Sequence, residues 1–273
     1  MAAAEQPSTG SEGPRGEPLI EFRGVSKSFG RLQVLRNVDL KLYTGRTTAI
    51  VGESGAGKSV VLKHIVRLIR PDQGTVYFRS QRIDNLPERK LIPIRTRFGF
   101  LFQMGALFDS LSVAENIAFP IQEHTRKSPG DIEQIVARTL TMVGLNGVQG
   151  KKPVELSGGQ RKRVALARAI ALDPEVILYD EPTTGLDPIR ADVINELIRK
   201  LQSELGVTSV VVTHDMASVR KVSDRVIMLH GQQFIFDGTP QELEASDNPV
   251  VRQFVEGRAS ASLLESLRLK GKA

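Results

Sequence analysis

The 273-residue chain is 40% hydrophobic with a net charge of +6, apolar enough for a packed core and unlike a fibrous or wholly disordered sequence. The absence of cysteine excludes disulfides, thiolate metal sites and cysteine nucleophiles. No apolar run approaches the ~18 residues of a membrane span, since the best, residues 60–69, is broken by Lys63, His64 and Arg67.

Residues 1–18 are rich in Pro, Gly, Ser and Glu without an apolar core, which fits neither a secretory signal nor a basic transit peptide and predicts a disordered tail. Residues 19–29, the alternation of Val38, Leu40 and Leu42, and residues 47–51 read as β, an antiparallel layer feeding one further strand. Val61, Leu62, Ile65, Val66 and Ile69 then repeat at helical spacing over 58–69, up to Pro71. Strands are expected over 75–81 and 98–103, and a helical stretch from about 107 to 153. Within it Ser128, Pro129 and Asp131 supply an N-cap, an N1 proline and a capping-box acid, and Gly144 ends the run. A helix over 160–172, a strand over 175–179, a helix over 188–205 and a strand over 209–213 alternate as a parallel α/β sheet requires. Residues 225–230 and 233–237 flank Gly231 and Gln232 at the spacing of a two-residue hairpin, and residues 258–273 read as a tail or a short helix.

Several motifs lie on this frame. Residues 52–59, GESGAGKS, have the GxxxxGKS form of a P-loop. Gly52, Glu53, Ser54, Gly55, Ala56 and Gly57 form a turn whose N–H groups converge on phosphate, Lys58 meets the β- and γ-phosphates, and the Ser59 hydroxyl suits Mg²⁺. Ser157, Gly158, Gly159 and Gln160, after Leu156, make a second glycine turn leading into a helix, another anion-facing surface. Asp180 follows a buried strand, so its carboxylate emerges at the sheet edge where ligands bind, with a water-mediated hold on Mg²⁺ as its expected part. Glu181 beside it can polarise an attacking water, and His214, at the end of SVVVTHD, reaches the same edge. His64, His124 and His230 have no such setting. Arg161, Lys162, Arg163 and Arg168 read as a solvated charged face. The positive charge suits either anionic lipid headgroups or a merely basic soluble protein; without an RNP-type aromatic motif, zinc-finger spacing or long basic run, nucleic acid is not an expected partner.

GESGAGKS, then LSGGQ, then VILYDE, in that order, resembles the ATP-binding-cassette (ABC) ATPases over roughly residues 19–240. The resemblance implies a P-loop NTPase with a RecA-like parallel-sheet core, an antiparallel β layer and a helical subdomain at about 107–172 within a domain spanning 19–257. It implies ATP and Mg²⁺ as ligands and a head-to-tail homodimer, each nucleotide lying between the P-loop of one subunit and the LSGGQ of the other. By the same resemblance Gln103 is the Q-loop glutamine that senses Mg²⁺ and the nucleophilic water, His214 contacts the γ-phosphate, and Asp187 in TTGLDP is the D-loop residue crossing to the partner. Phe29 in SKSFG matches the aromatic that stacks on adenine, the alternative being an ordinary core residue.

The segment MGALFDSLSVAENIAFP, directly after Gln103, and NPVVRQFVEG, over 248–257, resemble the ATPases of bacterial Mla/Mce lipid-transport systems. That implies a multispanning permease and a lipid-binding Mce protein as partners. It also implies a place on the cytoplasmic face of the bacterial inner membrane, and glycerophospholipid as cargo. Past Gly257 the chain departs from that family's usual tail. The alternatives are a cassette for another solute, such as an amino acid or a lipoprotein-release substrate, or a non-transport ATPase acting on DNA or ribosomes. Leu107, Phe108, Leu111 and Val113 could equally be the core of the helical insert.

Overall fold

The computed structural model of the chain describes residues 16–258, so the tails expected at 1–18 and 258–273 lie, but for residues 16–18 and 258, outside the described residues. Two sheets form the frame. Strands β1 (Ile20–Phe29), β2 (Leu32–Leu42), β4 (Gln73–Phe78) and β5 (Gln81–Arg82) make an antiparallel sheet in the order β2-β1-β4-β5. The second sheet, in the order β10-β9-β3-β8-β7-β6, joins β3 (Thr47–Val51), β6 (Phe98–Leu101), β7 (Val176–Asp180), β8 (Thr208–Val212) and β9 (Arg225–His230) in parallel. Strand β10 (Gln233–Gly238) closes its edge antiparallel. Every residue of β3, β7 and β8 is buried, as central strands covered on both faces require.

Alternate residues of these strands serve different cores. Val176, Leu178, Val210 and Val212 pack with helix α1 (Lys58–Ile65) and the antiparallel sheet. Ile177, Tyr179 and Val211 face the other way, onto α3 (Val113–His124), α4 (Pro129–Met142), α5 (Gly158–Ala169) and α6 (Pro188–Leu205). Short helices α7 (Met216–Val222), α8 (Pro240–Glu244) and α9 (Pro249–Val255) bury Val219, Leu243 and Val251 against the far edge of the parallel sheet. A further helix, α2 (Glu88–Arg95), precedes β6; neither it nor α7 and α8 was expected from periodicity, because each spans eight residues or fewer.

Several boundaries differ from expectation, the helix expected over 160–172 running Gly158–Ala169 among them. Helix α1 stops at Ile65 rather than Ile69: Arg67 takes a left-handed φ of 54° while its buried guanidinium donates to the carbonyls of Asp84 and Leu86. The strand expected over 75–81 ends at Phe78, where Arg79 (φ 48°) and Ser80 (φ 59°) form a two-residue turn without glycine. The strand expected over 98–103 ends at Leu101, leaving Gln103 in the following turn. The helical stretch from 107 opens with a loop, and α3 begins only after Ser112, which closes a capping box with Glu115. The caps of α4 and the Gly231–Gln232 hairpin are as expected.

That loop is fastened from two sides. The buried side chain of Asn116 accepts from Phe108 N at 2.8 Å and donates to the carbonyls of Phe108, Leu111 and Ser112 at 3.0–3.2 Å. Arg168 of α5 donates to the carbonyls of Gly105 and Ala106. Asn116→Ala is therefore expected to strand buried backbone groups at a cost of about 2–3 kcal/mol. In thermal unfolding that lowers Tm by roughly 5–10 °C for a domain of this size. An unchanged Tm would mean that water replaces the amide.

Candidate functional site

Strand β3 delivers the chain to the P-loop, whose tightness two glycines secure. A Cβ on Gly52 would meet Leu229 O at 2.3 Å, and one on Gly57 would meet Val34 Cγ1 at 2.5 Å, so neither position accepts a side chain. Gly57 at φ 103° caps α1. Lys58 is buried and folded back on its own loop, donating to Gly52 O at 2.8 Å and Glu53 O at 2.9 Å, with Glu181 Oε1 at 3.8 Å. Burial pushes its ammonium below the ordinary lysine range, against the pull of the Glu181 and Asp180 charges. Next to it Ser59 Oγ donates to Asp180 Oδ1 at 2.7 Å.

The end of β7 carries the acids. Burial raises the Asp180 carboxyl above the usual carboxylate range, the neighbouring Glu181 adding to the effect while the Ser59 hydroxyl and the Lys63 and Lys58 charges oppose it. Glu181 adopts a left-handed φ of 49°, a strain of about 1–3 kcal/mol for a residue with a side chain. Its N–H is held by Val212 O at 2.9 Å. Its carboxylate accepts from His214 Nδ1 at 2.9–3.0 Å and from Thr184 Oγ1 at 3.2 Å. P-loop, Asp180, Glu181 and His214 thus form one cluster at the carboxyl edge of the parallel sheet.

A second cluster surrounds the other glycine turn. Ser157 N-caps α5: its hydroxyl accepts from Gln160 N at 3.3 Å while Gln160 Oε1 accepts from Ser157 N at 2.9 Å, so both side chains are engaged in a capping box. Gly158 lies against Leu186 and Gly159 against Arg190. Asp187 caps α6 through Arg190 N at 3.0 Å, which brings its loop against the Ser157–Gln160 turn. Among the described residues, no hydrogen bond or ion pair joins this turn to the P-loop.

The remaining positions divide. Gln103 is exposed in the turn after β6, its carbonyl accepting from Lys162. Phe29 is 47% exposed at the end of β1 with Lys27 over its ring, which rules out the core alternative. His64 is buried on α1 away from the acids, its Nδ1 on Val60 O. His230 was given no setting by its sequence, yet it lines a cavity of about 310 Å³ together with Val34, Gln232 and Glu53–Ala56 of the P-loop.

The charged run after Gln160 is not the solvated face expected of it. Arg161 donates to Leu156 O, Arg163 to Gly144 O and Arg168 to Gly105 O, while Lys162 is 6% exposed and reaches the carbonyls of both Gln103 and Glu181. A signal was present: Lys162 is in helical register with the apolar Ala165 and Leu166, on the buried side of α5.

Comparison with known proteins identifies the family. Residues 35–184, from β2 through the P-loop and the LSGGQ turn to Glu181, match the model of the ABC transporter family. The chain belongs to that family. The intermembrane phospholipid transport system ATP-binding protein MlaF of Haemophilus influenzae is 44% identical over 241 residues, 88% of this chain and 91% of that protein. The probable ribonucleotide transport ATP-binding protein mkl of Mycobacterium tuberculosis is 43% identical over 253 residues, 93% of this chain and 70% of that protein. The solved dimer of the ATP-binding cassette MJ0796 in a post-hydrolysis state, bound to ADP and Pi, matches with a TM-score of 0.75 at 34% identity, over 81% of this chain and 98% of that one. The chain is accordingly an ABC ATPase with a nucleotide-binding α/β P-loop fold.

The raised Asp180 carboxyl has a measurable consequence for this ATPase. A group whose pKa is higher folded than unfolded stabilises the fold at pH below its unfolded value, and that contribution is lost as pH rises through the folded value. Ionisation of Asp180 within the fold therefore opposes folding. Asp180→Asn, which keeps an acceptor for Ser59, is expected to raise the Tm of the nucleotide-free protein at pH 7. It should also flatten the fall in stability as pH rises above the ordinary carboxylate range. A lower Tm at pH 7 would show that the Ser59 and lysine contacts outweigh the burial cost.

Proposed function

We propose that this ATPase drives phospholipid transport between membranes, acting as a head-to-tail homodimer beneath a separate permease. The carrying observation is the apolar surface beside Gln103. Met104 is 89% exposed and Phe108 43% exposed, with the ring of Phe108 4.9 Å from that of Phe119, in a segment similar to that of the lipid-transport ATPases. The MlaF relative supports the lipid reading because the match spans 91% of its length. The mkl relative, matched over 70% of its length, favours ribonucleotide as the second reading. No helix among the described residues is long and apolar enough to cross a membrane, so a permease must supply the path. On this reading the permease sits in the bacterial inner membrane, a lipid-binding Mce protein completes the complex, and the ATPase lies on its cytoplasmic face. Residues 19–257 form the ATPase domain, with the helical subdomain at about 107–172 meeting the permease.

For hydrolysis, the P-loop N–H groups and Lys58 receive the phosphates of ATP, Lys58 exchanging the carbonyls of Gly52 and Glu53 for β- and γ-phosphate oxygens. Ser59 Oγ and the buried, incompletely neutralised Asp180 carboxylate are hard oxygen donors that fit Mg²⁺, whose usual setting is one or two carboxylates with substrate phosphates and water. Bound there, the ion supplies neutralisation of phosphate charge. Glu181 accepts the proton of the attacking water. His214, its Nδ1 on Glu181, presents its Nε2 edge to the γ-phosphate, and Gln103 reports the occupied site to the helical subdomain. The Ser157–Gly159 turn and Asp187 serve the partner subunit's nucleotide, and Phe29 stacks on adenine.

Glu181→Gln should bind ATP yet turn over about 10² to 10⁴ times more slowly, since the amide keeps the shape and loses the base. ATP should then hold the dimer closed. Single-turnover hydrolysis measured alongside dimer mass checks both points, and wild-type turnover counts against the role.

The membrane interface is tested with two neighbouring charges. Leu107 packs against the insert core, so Leu107→Glu should lower Tm by several degrees through an unpaired buried charge. Phe108→Glu, losing the contact with Phe119 at the surface, should lower Tm less than Leu107→Glu does while abolishing co-purification with the permease and ATP-dependent transfer of labelled phospholipid between liposomes. Stimulation of ATPase activity by ribonucleotide cargo, with none by phospholipid, rejects the lipid assignment and leaves the ATPase intact.

A further inference from the structure

Lys162 stands one turn into α5, and its ammonium ends on two backbone carbonyls, Gln103 O at 2.5 Å and Glu181 O at 3.3 Å. These belong to segments 78 positions apart in sequence (103 against 181), the turn after β6 and the end of β7. A buried ammonium is expensive unless hydrogen-bonded, and its bonds to carbonyls are charge-assisted, roughly twice as strong as neutral ones. Burial depresses the Lys162 ammonium below the ordinary lysine range, and the Glu181 and Asp180 charges pull it back up.

The backbone of Glu181 needs such support. At φ 49° it persists only if its flanking peptide groups are held from outside. Its N–H is bonded to Val212 O, and its carbonyl accepts from Thr184 N at 3.3 Å and from Lys162. Val212 and Thr184 restrain Glu181 within the sheet and its own loop. Lys162 ties it to another element, α5, and through the same ammonium to Gln103.

We propose that Lys162 is a positioning residue for hydrolysis: one ammonium clamps the peptides of Gln103 and Glu181 to α5 and so sets where the Glu181 carboxylate stands. Lys162 acts through Glu181 and takes no proton itself. The α5 helix carries the Ser157–Gly159 turn at its N-terminus, so a shift of that turn is passed to Glu181 through a single side chain. The inference rests on the reading of Glu181 as the base.

The test is a double-mutant cycle on the full chain. Lys162→Met keeps the stem and removes the ammonium, and should lower kcat at least tenfold while leaving ATP Kd within about threefold of wild type. In a Glu181→Gln background the same substitution should change the residual rate less than twofold, because its target is already disabled. A merely structural role would multiply the two losses or weaken ATP binding in parallel with rate, and either result overturns the proposal, as does an unchanged kcat. If the methionine variant fails to fold, Lys162→Gln carries the same test. It retains a neutral donor, so a loss of at least threefold that vanishes beside Glu181→Gln is expected, and no loss, or a loss that persists there, overturns the clamp. Wild-type turnover by Glu181→Gln alone instead refutes the reading of Glu181, an outcome distinct from failure of the Lys162 cycle.

Discussion

Four charges buried at one end of one strand set the terms for this structure. Lys58, Lys162, Asp180 and Glu181 are all nearly inaccessible to solvent, and they meet where β7 leaves the parallel sheet. Each alone would cost several kcal/mol to bury. Together they are tolerable because every one is hydrogen-bonded: Lys58 and Lys162 to carbonyls, Asp180 to Ser59, Glu181 to His214 and Thr184. The compensation is incomplete at Asp180, Lys58 and Lys162, whose neutral forms burial favours. Perturbed ionisable groups gathered in this way are characteristic of functional sites.

The sheet makes this concentration of charge possible. With β3 between β9 and β8, and β7 beyond β8, the carboxyl ends of β3, β7 and β8 deliver the P-loop, the two acids and His214 to one edge. The apolar runs beneath them are buried on both faces, so the strands cannot slip by one residue without exchanging two cores of different composition. Precision at the edge is thus inherited from packing below it. The left-handed Glu181 is the one point where the strand's own geometry is abandoned, and there the neighbouring loop and α5 take over its support.

Around α5 the structure spends cations on carbonyls. Arg161, Lys162, Arg163 and Arg168 tie the helix to Leu156, to Gln103 and Glu181, to Gly144, and to Gly105 and Ala106. Asn116 fastens the same 105–112 loop from α3. The loop that presents Met104 and Phe108 outward is therefore held by side chains at both ends. The surface is thus a fixed part of the insert.

The sequence by itself determined the parts whose chemistry is local. GESGAGKS, the Ser157–Gln160 turn, the acids after VILY and the histidine after SVVVT each carry their reason within a few residues: glycines at the positive φ of a tight loop, a cap three residues from its partner, a polar group at the end of a buried strand. Family membership and the α/β frame followed from these. What only the tertiary structure decided were positions whose partners are remote in the chain. Arg67 ends α1 because Asp84 and Leu86 hold it, Arg79 and Ser80 turn without glycine, Phe29 stands exposed, His230 borders the P-loop, and Lys162 is buried between Gln103 and Glu181. Periodicity reports which face of an element is apolar, whereas a backbone carbonyl is present at every residue and leaves no trace in composition. A cation aimed at a carbonyl reads in one dimension like a cation aimed at water, and folding alone distinguishes them.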